Sequence, residues 1–176
     1  MKVLVVGVGL IGGSFALVLR KHGVAERILG VEQSPRHAEE ALRRGLVDEI
    51  VTLEEGIAEA DLIVLAVPVD TLPLLAVKVL NRVTDKQIVM DMGSIKEELC
   101  DAISQHPRRS RFVATHPMWG TEYSGPGAAR EDAEKSALGR GAFLYKEACG
   151  CGNRDKRADS ALPRCERWRK PYAYDA

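Results

Sequence analysis

The chain has 176 residues, a length that suits a single domain or one domain with an added fragment. Its 25 basic and 25 acidic residues balance, which removes any general electrostatic basis for binding nucleic acid or an anionic membrane. No apolar stretch reaches the roughly 18 residues of a membrane span, and the first residues are typical of a strand rather than a secretory leader. We therefore expect a soluble cytoplasmic protein whose partner is neither nucleic acid nor a membrane.

The first element combines a buried strand with a glycine-rich turn. An apolar run over residues 2–6 leads into three glycines at the G-x-G-x-x-G spacing, and a helical pattern follows. In a dinucleotide-binding turn, these glycines permit the tight turn, the approach of the backbone to a pyrophosphate and close helix–strand packing. The amides at the helix N-terminus then face the phosphates. The predicted cofactor-binding residues of this turn are Gly7, Gly9, Leu10, Ile11 and Gly12.

Glu32 ends the next apolar run and lies roughly 20 residues beyond the last glycine, the distance expected of a dinucleotide-binding acid. A carboxylate there can accept hydrogen bonds from the adenosine ribose hydroxyls. It would also repel a 2′-phosphate, so we expect NAD as the cofactor rather than NADP. Arg36 is the nearest basic residue and could still admit NADP, and an ordinary loop glutamate is the alternative interpretation of Glu32.

Strand and helix patterns alternate along the rest of the chain. Ser34 and Pro35 predict the N-cap and first position of a helix that Gly45 ends. Further helices are predicted from Asp70 or Thr71 and from Ser94. The segments that predict strands are 2–6, 28–31, 49–51, 61–68, 87–91 and 111–114. Six strands with helical crossovers indicate an α/β fold, a doubly wound parallel, Rossmann-like sheet of order 3-2-1-4-5-6.

Two polar residues follow neighbouring strands of this predicted sheet. His116 comes just after the run 111–114, and ligands of open α/β sheets bind beyond the carboxyl ends of the strands. An imidazole there can transfer protons near neutral pH. Ser94 follows the run 87–91 and precedes Glu97 at the spacing of a capping box, so we expect its hydroxyl to cap a helix. From the residues alone, a loop histidine and a capping serine are the simpler interpretations.

The composition changes after residue 113. Residues 114–176 contain no Val or Ile, and only three leucines, but hold three of the four cysteines. Such a segment cannot bury enough apolar area to offset a backbone entropy cost of about 1–2 kcal/mol per residue. We therefore expect a nucleotide-binding domain over residues 1–128 and a poorly ordered tail over 129–176. Cys149, Cys151 and Cys165 lack the paired spacing of zinc sites, so no metal is expected.

Four segments together resemble the prephenate dehydrogenases over residues 1 to about 130. They are Gly7-x-Gly9-x-x-Gly12-Gly13, Ala66-Val67-Pro68-Val69, Asp91-Met92-Gly93-Ser94-Ile95-Lys96 and His116-Pro117-Met118-Trp119-Gly120-Thr121-Glu122-Tyr123-Ser124-Gly125-Pro126. Many dehydrogenases share the glycine turn, whereas the last two segments are far more specific. Trp119 departs from the alanine common at that place.

The resemblance implies NAD-dependent oxidative decarboxylation of prephenate to 4-hydroxyphenylpyruvate, on the route to tyrosine. It implies that His116 takes the proton of the ring hydroxyl and that Ser94 orients this hydroxyl in addition to its capping role. It places Val67 and Pro68 at the cofactor. Thr121 and Glu122 are expected at the mouth of the substrate pocket.

The end of the chain departs from this family, whose members continue with a helical domain that dimerises and closes the substrate pocket. Nothing after Ala129 resembles that domain, so we expect a truncated or frame-shifted product, and a homodimer only if the domain is supplied. The hypotheses are a prephenate dehydrogenase and an NAD-binding module without turnover. An arogenate or cyclohexadienyl dehydrogenase is a third, while the Ser94 and His116 segments argue against a dehydrogenase of small hydroxy acids.

Overall fold

The computed structural model describes residues 1–117 and 123–131, together with the backbone of residues 143 and 144. A parallel sheet of six strands forms its centre. The strands are β1 (Lys2–Val6), β2 (Arg27–Val31), β3 (Glu49–Ile50), β4 (Leu62–Leu65), β5 (Ile88–Asp91) and β6 (Phe112–Val113). Their order is β3-β2-β1-β4-β5-β6, so the predicted fold class and strand order are confirmed. The direction of the crossovers reverses between β1 and β4, the position at which such sheets bind ligands.

In the described ranges, five α-helices cover the two faces of the sheet. They are α1 (Leu10–Lys21), α2 (Pro35–Arg43), α3 (Leu53–Glu59), α4 (Leu72–Leu80) and α5 (Glu97–Ile103). The predicted limits of α2 are confirmed, since the Ser34 hydroxyl accepts a hydrogen bond from the His37 amide and Gly45, with a φ of 65°, follows the helix end. No helix in the described part of the chain is long and apolar enough to cross a membrane.

The sheet buries both of its faces, as the unbroken apolar runs predict. On β1, Leu4 and Val6 belong to the cluster that α3, α4 and α5 cover. Val3 and Val5 point to the opposite cluster, beneath α1 and α2. Burying each such side chain contributes about 1.5–3 kcal/mol, and the two clusters together hold the strand ends in fixed positions.

The helix predicted from Ser94 begins three residues later, at Glu97, with Lys96 as its N-cap residue. No side chain caps this helix, so the prediction that Ser94 caps it is wrong. The cause is Lys96, whose buried ammonium binds the Asp91 carboxylate and the Gly93 carbonyl oxygen. These bonds draw the chain inward and keep residues 93–96 as a loop.

His116 lies in a second short strand beyond β6 rather than in a loop. This strand, β7 (Thr115–His116), pairs antiparallel with β8 (Phe143–Leu144) in a separate two-stranded sheet. The register places His116 opposite Phe143. The chain leaves the main sheet after β6 because the Thr115 amide binds the Asp91 side chain instead of continuing the strand ladder.

Residues 123–131 pack back onto the first two helices. The Arg44 guanidinium donates hydrogen bonds to the carbonyl oxygens of Pro126 and Ala129, and the Arg130 amide donates to the Ser14 hydroxyl at 3.0 Å. Ala129 is buried. The predicted boundary at residue 128 therefore falls inside a packed segment, and apart from β8 the remainder of the predicted tail lies outside the described residues.

Candidate functional site

Gly7 and Gly12 shape the turn between β1 and α1 because neither position has room for a side chain. Gly7 has a φ of 90°, and a Cβ there would lie 2.5 Å from the Ala66 carbonyl oxygen. A Cβ on Gly12 would collide with the Gly7 carbonyl oxygen and lie 2.9 Å from Val5 Cγ1. These two glycines therefore let β1, α1 and the end of β4 approach one another.

Gly9 differs, because a Cβ at this position would have no atom within 4 Å. Gly9 is the N-cap residue of α1 and makes no side-chain cap bond. The first amides of a helix have no acceptor within the helix, and the positive end of the helix dipole adds to their attraction for anions. Open space in front of such amides fits the pyrophosphate of a dinucleotide.

Glu32 lies beside this turn, at the end of β2. Its carboxylate accepts hydrogen bonds from the Val8 amide at 3.2 Å and the Ser34 amide at 3.0 Å. These bonds hold the half-buried carboxylate against the turn, and a carboxylate has about four acceptor sites, so capacity for ribose hydroxyls remains. Arg36 is exposed on the first turn of α2.

The end of β4 closes the other side of the turn. Val67 is half-buried, and its Cγ1 lies 3.2 Å from the position of a Cβ on Gly7. Pro68 is exposed, and its carbonyl oxygen accepts hydrogen bonds from the Thr71 amide and hydroxyl. Val67 therefore borders the predicted cofactor site directly, while Pro68 joins it to the start of α4.

The carboxyl end of β5 carries a buried network centred on Asp91, which has no exposed surface. Its Oδ2 atom accepts hydrogen bonds from the Lys96 ammonium and from the Gly93 amide at 2.9 Å. Its Oδ1 atom accepts from the Thr115 amide at 3.2 Å, and the Thr115 hydroxyl donates to the Asp91 carbonyl oxygen. A single carboxylate thus holds both the loop that contains Ser94 and the strand that contains His116.

Burial raises the pKa of the Asp91 carboxyl, while the Lys96 ammonium and the amides of Gly93 and Thr115 act to lower this pKa. Because these effects oppose one another, the ionised form of Asp91 depends on the Lys96 ammonium. Without its cationic partner, a carboxylate at this depth would favour the protonated form.

The structure brings Ser94 and His116 to the carboxyl ends of neighbouring strands. Ser94 is exposed, whereas His116 is half-buried and has a buried Nδ1 atom. The glycine turn, Glu32 and Val67 lie at the carboxyl ends of β1, β2 and β4 at the same edge of the sheet. Thr121 and Glu122 lie outside the described residues.

Asp91, Lys96 and Thr115 are not among the site residues predicted from the sequence, although the first two belong to one of the motif segments. A signal was present in the sequence. Asp91 ends a strand that is otherwise apolar, and a lysine follows five residues later. A carboxylate in such a strand needs a cationic partner, because an unpaired buried charge is very costly.

A groove of about 440 Å³ lies at the opposite edge of the sheet, lined by residues such as Glu54, Asp61, Arg82 and Gln87. Its lining mixes both charge signs and comes from the amino ends of β4 and β5, far from the glycine turn. The turn, not this groove, has the features of a dinucleotide site. Within the described ranges, no cluster of three or more histidine, cysteine or acidic side chains could hold a metal ion.

Comparison with known proteins identifies similar chains. The family model described as the nucleotide-binding domain of prephenate dehydrogenase matches residues 15–138. The chain is 36% identical over 132 residues to the prephenate dehydrogenase of Bacillus subtilis. It superimposes with a TM-score of 0.67 and 33% identity on two solved structures. One is prephenate dehydrogenase from Aquifex aeolicus in complex with hydroxyphenyl propionate and NAD⁺, and the other is Synechocystis arogenate dehydrogenase.

These matches cover most of this chain but less than half of each relative. The Bacillus subtilis match covers 73% of this chain and 36% of the relative. The two structural matches cover 76% of this chain and 47% and 46% of the solved chains. The chain therefore spans about a third of the length of the curated relatives it matches. The family model begins at residue 15, after the glycine turn. The turn therefore supports a dinucleotide site independently of this match.

Proposed function

Because the chain belongs to the prephenate dehydrogenase family, through its nucleotide-binding domain, we propose that it takes part in the NAD-dependent oxidative decarboxylation of prephenate to 4-hydroxyphenylpyruvate. The observation that carries this proposal is the position of the two specific segments. Ser94 and His116 lie at the same edge of the sheet as the open glycine turn. A role in tyrosine biosynthesis and a location in the cytoplasm belong to the same proposal.

NAD is the proposed cofactor. The amides of Gly9, Leu10 and Ile11 would hold its pyrophosphate, and Glu32 would bind the ribose hydroxyls while its charge disfavours a 2′-phosphate. Val67 and Pro68 would border the bound molecule. When bound, NAD supplies the hydride acceptor for the reaction.

His116 is the proposed general base of this chain. Its imidazole would accept a hydrogen bond from the ring hydroxyl of prephenate and then take its proton, as a carbonyl forms at that carbon. A hydride would leave this same carbon, and carbon dioxide would then depart from the ring. The electron pair of the broken bond would make the ring aromatic, and the former carbonyl oxygen would regain a proton to become the hydroxyl of the product. Ser94, exposed on its loop, would bind the hydroxyl and orient it towards His116. Thr121 and Glu122 are the residues proposed at the mouth of the substrate pocket.

Calorimetry with NAD tests the cofactor site, with two glycine variants as a matched pair. Gly9→Ala places a methyl group in open space, so we expect NAD affinity to fall about tenfold or more while unfolding stability changes by at most about 1 kcal/mol. Gly12→Ala collides with the turn itself, so stability should fall by about 1–3 kcal/mol. Full NAD affinity in Gly9→Ala would contradict the proposed site.

A prephenate turnover assay, followed by NADH absorbance, tests the catalytic proposal. Loss of a general base typically costs about 10²–10⁴ in rate, so His116→Ala should lose at least that much. His106→Ala is the matched control, because this histidine lies before β6 and binds Asn81 and the Arg108 amide. The control should keep wild-type turnover. Equal turnover in His116→Ala and wild type would remove His116 from the mechanism.

Two alternatives have observations in their favour. The chain spans less than half of its relatives, so it could bind NAD without turnover, in which case calorimetry shows binding and the assay shows no NADH. The similarity to an arogenate dehydrogenase favours arogenate as a second substrate. Running the assay with prephenate and arogenate in parallel separates these outcomes.

A further inference from the structure

The ion pair of Asp91 and Lys96 lies between the two segments that carry Ser94 and His116. Asp91 is fully buried and Lys96 is 6% exposed. Stability alone does not account for such a pair, because replacing a buried ion pair with apolar side chains is often neutral or stabilising. Its position in the fold points to a different role.

The contacts of the pair divide between the two segments. On one side, the Lys96 ammonium binds both the Asp91 carboxylate and the Gly93 carbonyl oxygen, which closes the loop around Ser94. On the other side, the second carboxylate oxygen of Asp91 binds the amide of Thr115, the residue before His116. The Thr115 hydroxyl adds a bond back to the main chain of β5.

We propose that Asp91, Lys96 and Thr115 are positioning residues that fix the separation and orientation of Ser94 relative to His116. Reacting groups must be held within about 0.5 Å of productive geometry, and a misplacement of about 1 Å can cost about 10² in rate. A shared buried carboxylate provides this precision, because both segments bind the same rigid strand end. The catalytic meaning of this arrangement rests on the proposed function.

Three variants loosen the arrangement in different ways. Lys96→Met keeps the unbranched chain up to the ε position and removes the ammonium. Thr115→Val keeps the shape and removes only the hydroxyl. If Lys96→Met does not fold, the double variant Asp91→Asn/Lys96→Met removes the charge imbalance. Gln87→Met is the matched control, since Gln87 is a buried polar residue at the other end of the same strand.

The kinetic test compares kcat with the KM for NAD. We expect kcat to fall about 100-fold in Lys96→Met or the double variant, and about tenfold in Thr115→Val. The KM for NAD should stay within about twofold of wild type, because the glycine turn and Glu32 lie on other strands. Gln87→Met should keep the wild-type kcat. Wild-type kcat in both Lys96→Met and Thr115→Val would overturn the proposal while leaving the proposed function intact.

A second measurement does not depend on turnover. The imidazole resonances of His116, assigned by NMR through loss of signal in His116→Ala, should shift in Lys96→Met and Thr115→Val but not in Gln87→Met. If the wild-type chain shows no turnover, the proposed function fails and this measurement alone decides the positioning role. Unchanged His116 resonances in both site variants would refute that role.

Discussion

Each end of strand β5 buries a polar side chain, and the two ends satisfy its hydrogen bonds with different chemistry. At the amino end, Gln87 is buried, donates to the carbonyl oxygens of Ile57 and Ala60, and accepts from the amide and hydroxyl of Thr84. At the carboxyl end, Asp91 is buried with a charged partner, Lys96.

A neutral amide therefore suffices to satisfy a buried strand end in this fold. The charged solution at the other end requires two ions to leave water, which costs several kcal/mol per ion before their attraction offsets it. If Asp91 and Lys96 position the site as proposed, the carboxyl end carries a requirement beyond stability. In our interpretation, this requirement is the placement of Ser94 and His116.

The largest effect should come from breaking the charged end. Lys96→Met leaves the Asp91 carboxylate buried without its cation, and breaking a buried pair in this way costs about 3–5 kcal/mol. Urea unfolding at neutral pH measures the change. A loss below about 1 kcal/mol would mean that Asp91 gains solvent or a new partner easily. The charged end would then not depend on Lys96 more than the neutral end depends on Gln87.

The stability that Lys96→Met loses should depend on pH, unlike the stability lost at the neutral end. Burial raises the pKa of Asp91, so above the unfolded-state pKa of about 3.9 the folded state binds more protons than the unfolded state. The contribution of Asp91 to stability therefore falls as pH rises through this window. Removing Lys96 raises the pKa further, so Lys96→Met should lose less stability near pH 4 than near pH 7. Urea titrations of wild type and variant at both pH values test this, and Gln87→Met should lose the same amount at each.

An intermediate effect is expected at the neutral end. Gln87→Met removes two donors from the carbonyl oxygens of Ile57 and Ala60, and each buried group left unsatisfied costs about 1–3 kcal/mol. Both residues line the open groove, where water replaces part of the lost hydrogen bonding, so thermal and urea unfolding should show a total loss of about 2 kcal/mol, below that of Lys96→Met. If Gln87→Met loses more unfolding free energy than Lys96→Met, the charged network at the carboxyl end is not the more costly one to break.

The smallest effect should come from exposed ion pairs at the amino ends of β1 and β2. Glu59 binds Lys2 at 3.2 Å and Arg27 at 3.3 Å, and all three side chains are more than 40% exposed. Exposed pairs contribute about 0.2–1 kcal/mol, so Glu59→Gln should shift the free energy of unfolding by no more than about 1 kcal/mol. Repeating the titration in high salt should remove the difference.

The order of the strands could be predicted because its cause is local. Each strand is a short apolar run bounded by turn residues, and right-handed crossovers then limit the possible sheets. The N-cap at Ser34 and the helix end at Gly45 were predictable for the same reason, since each depends on residues within one turn of helix.

The site could be predicted only in part, because its decisive contacts join distant residues. Ser94 and Glu97 match a capping box in sequence, yet Lys96 binds inward to Asp91 and moves the helix start. The bond from Thr115 to Asp91 spans 24 residues, and no local pattern encodes it. The bond from the Val8 amide to Glu32 also spans 24 residues, although the dinucleotide motif predicts an acid at that distance from the turn.

The strands at the two edges of the main sheet, β3 (Glu49–Ile50) and β6 (Phe112–Val113), have two residues each. A long exposed edge strand is a template on which another chain can add a strand, and short edge strands are one way in which proteins resist such aggregation. The chain also turns away after β6 to form β7, so the ladder on that side ends early. Association of two sheets by strand addition is therefore disfavoured at both outer strands. The carboxyl ends of the strands remain open to ligands.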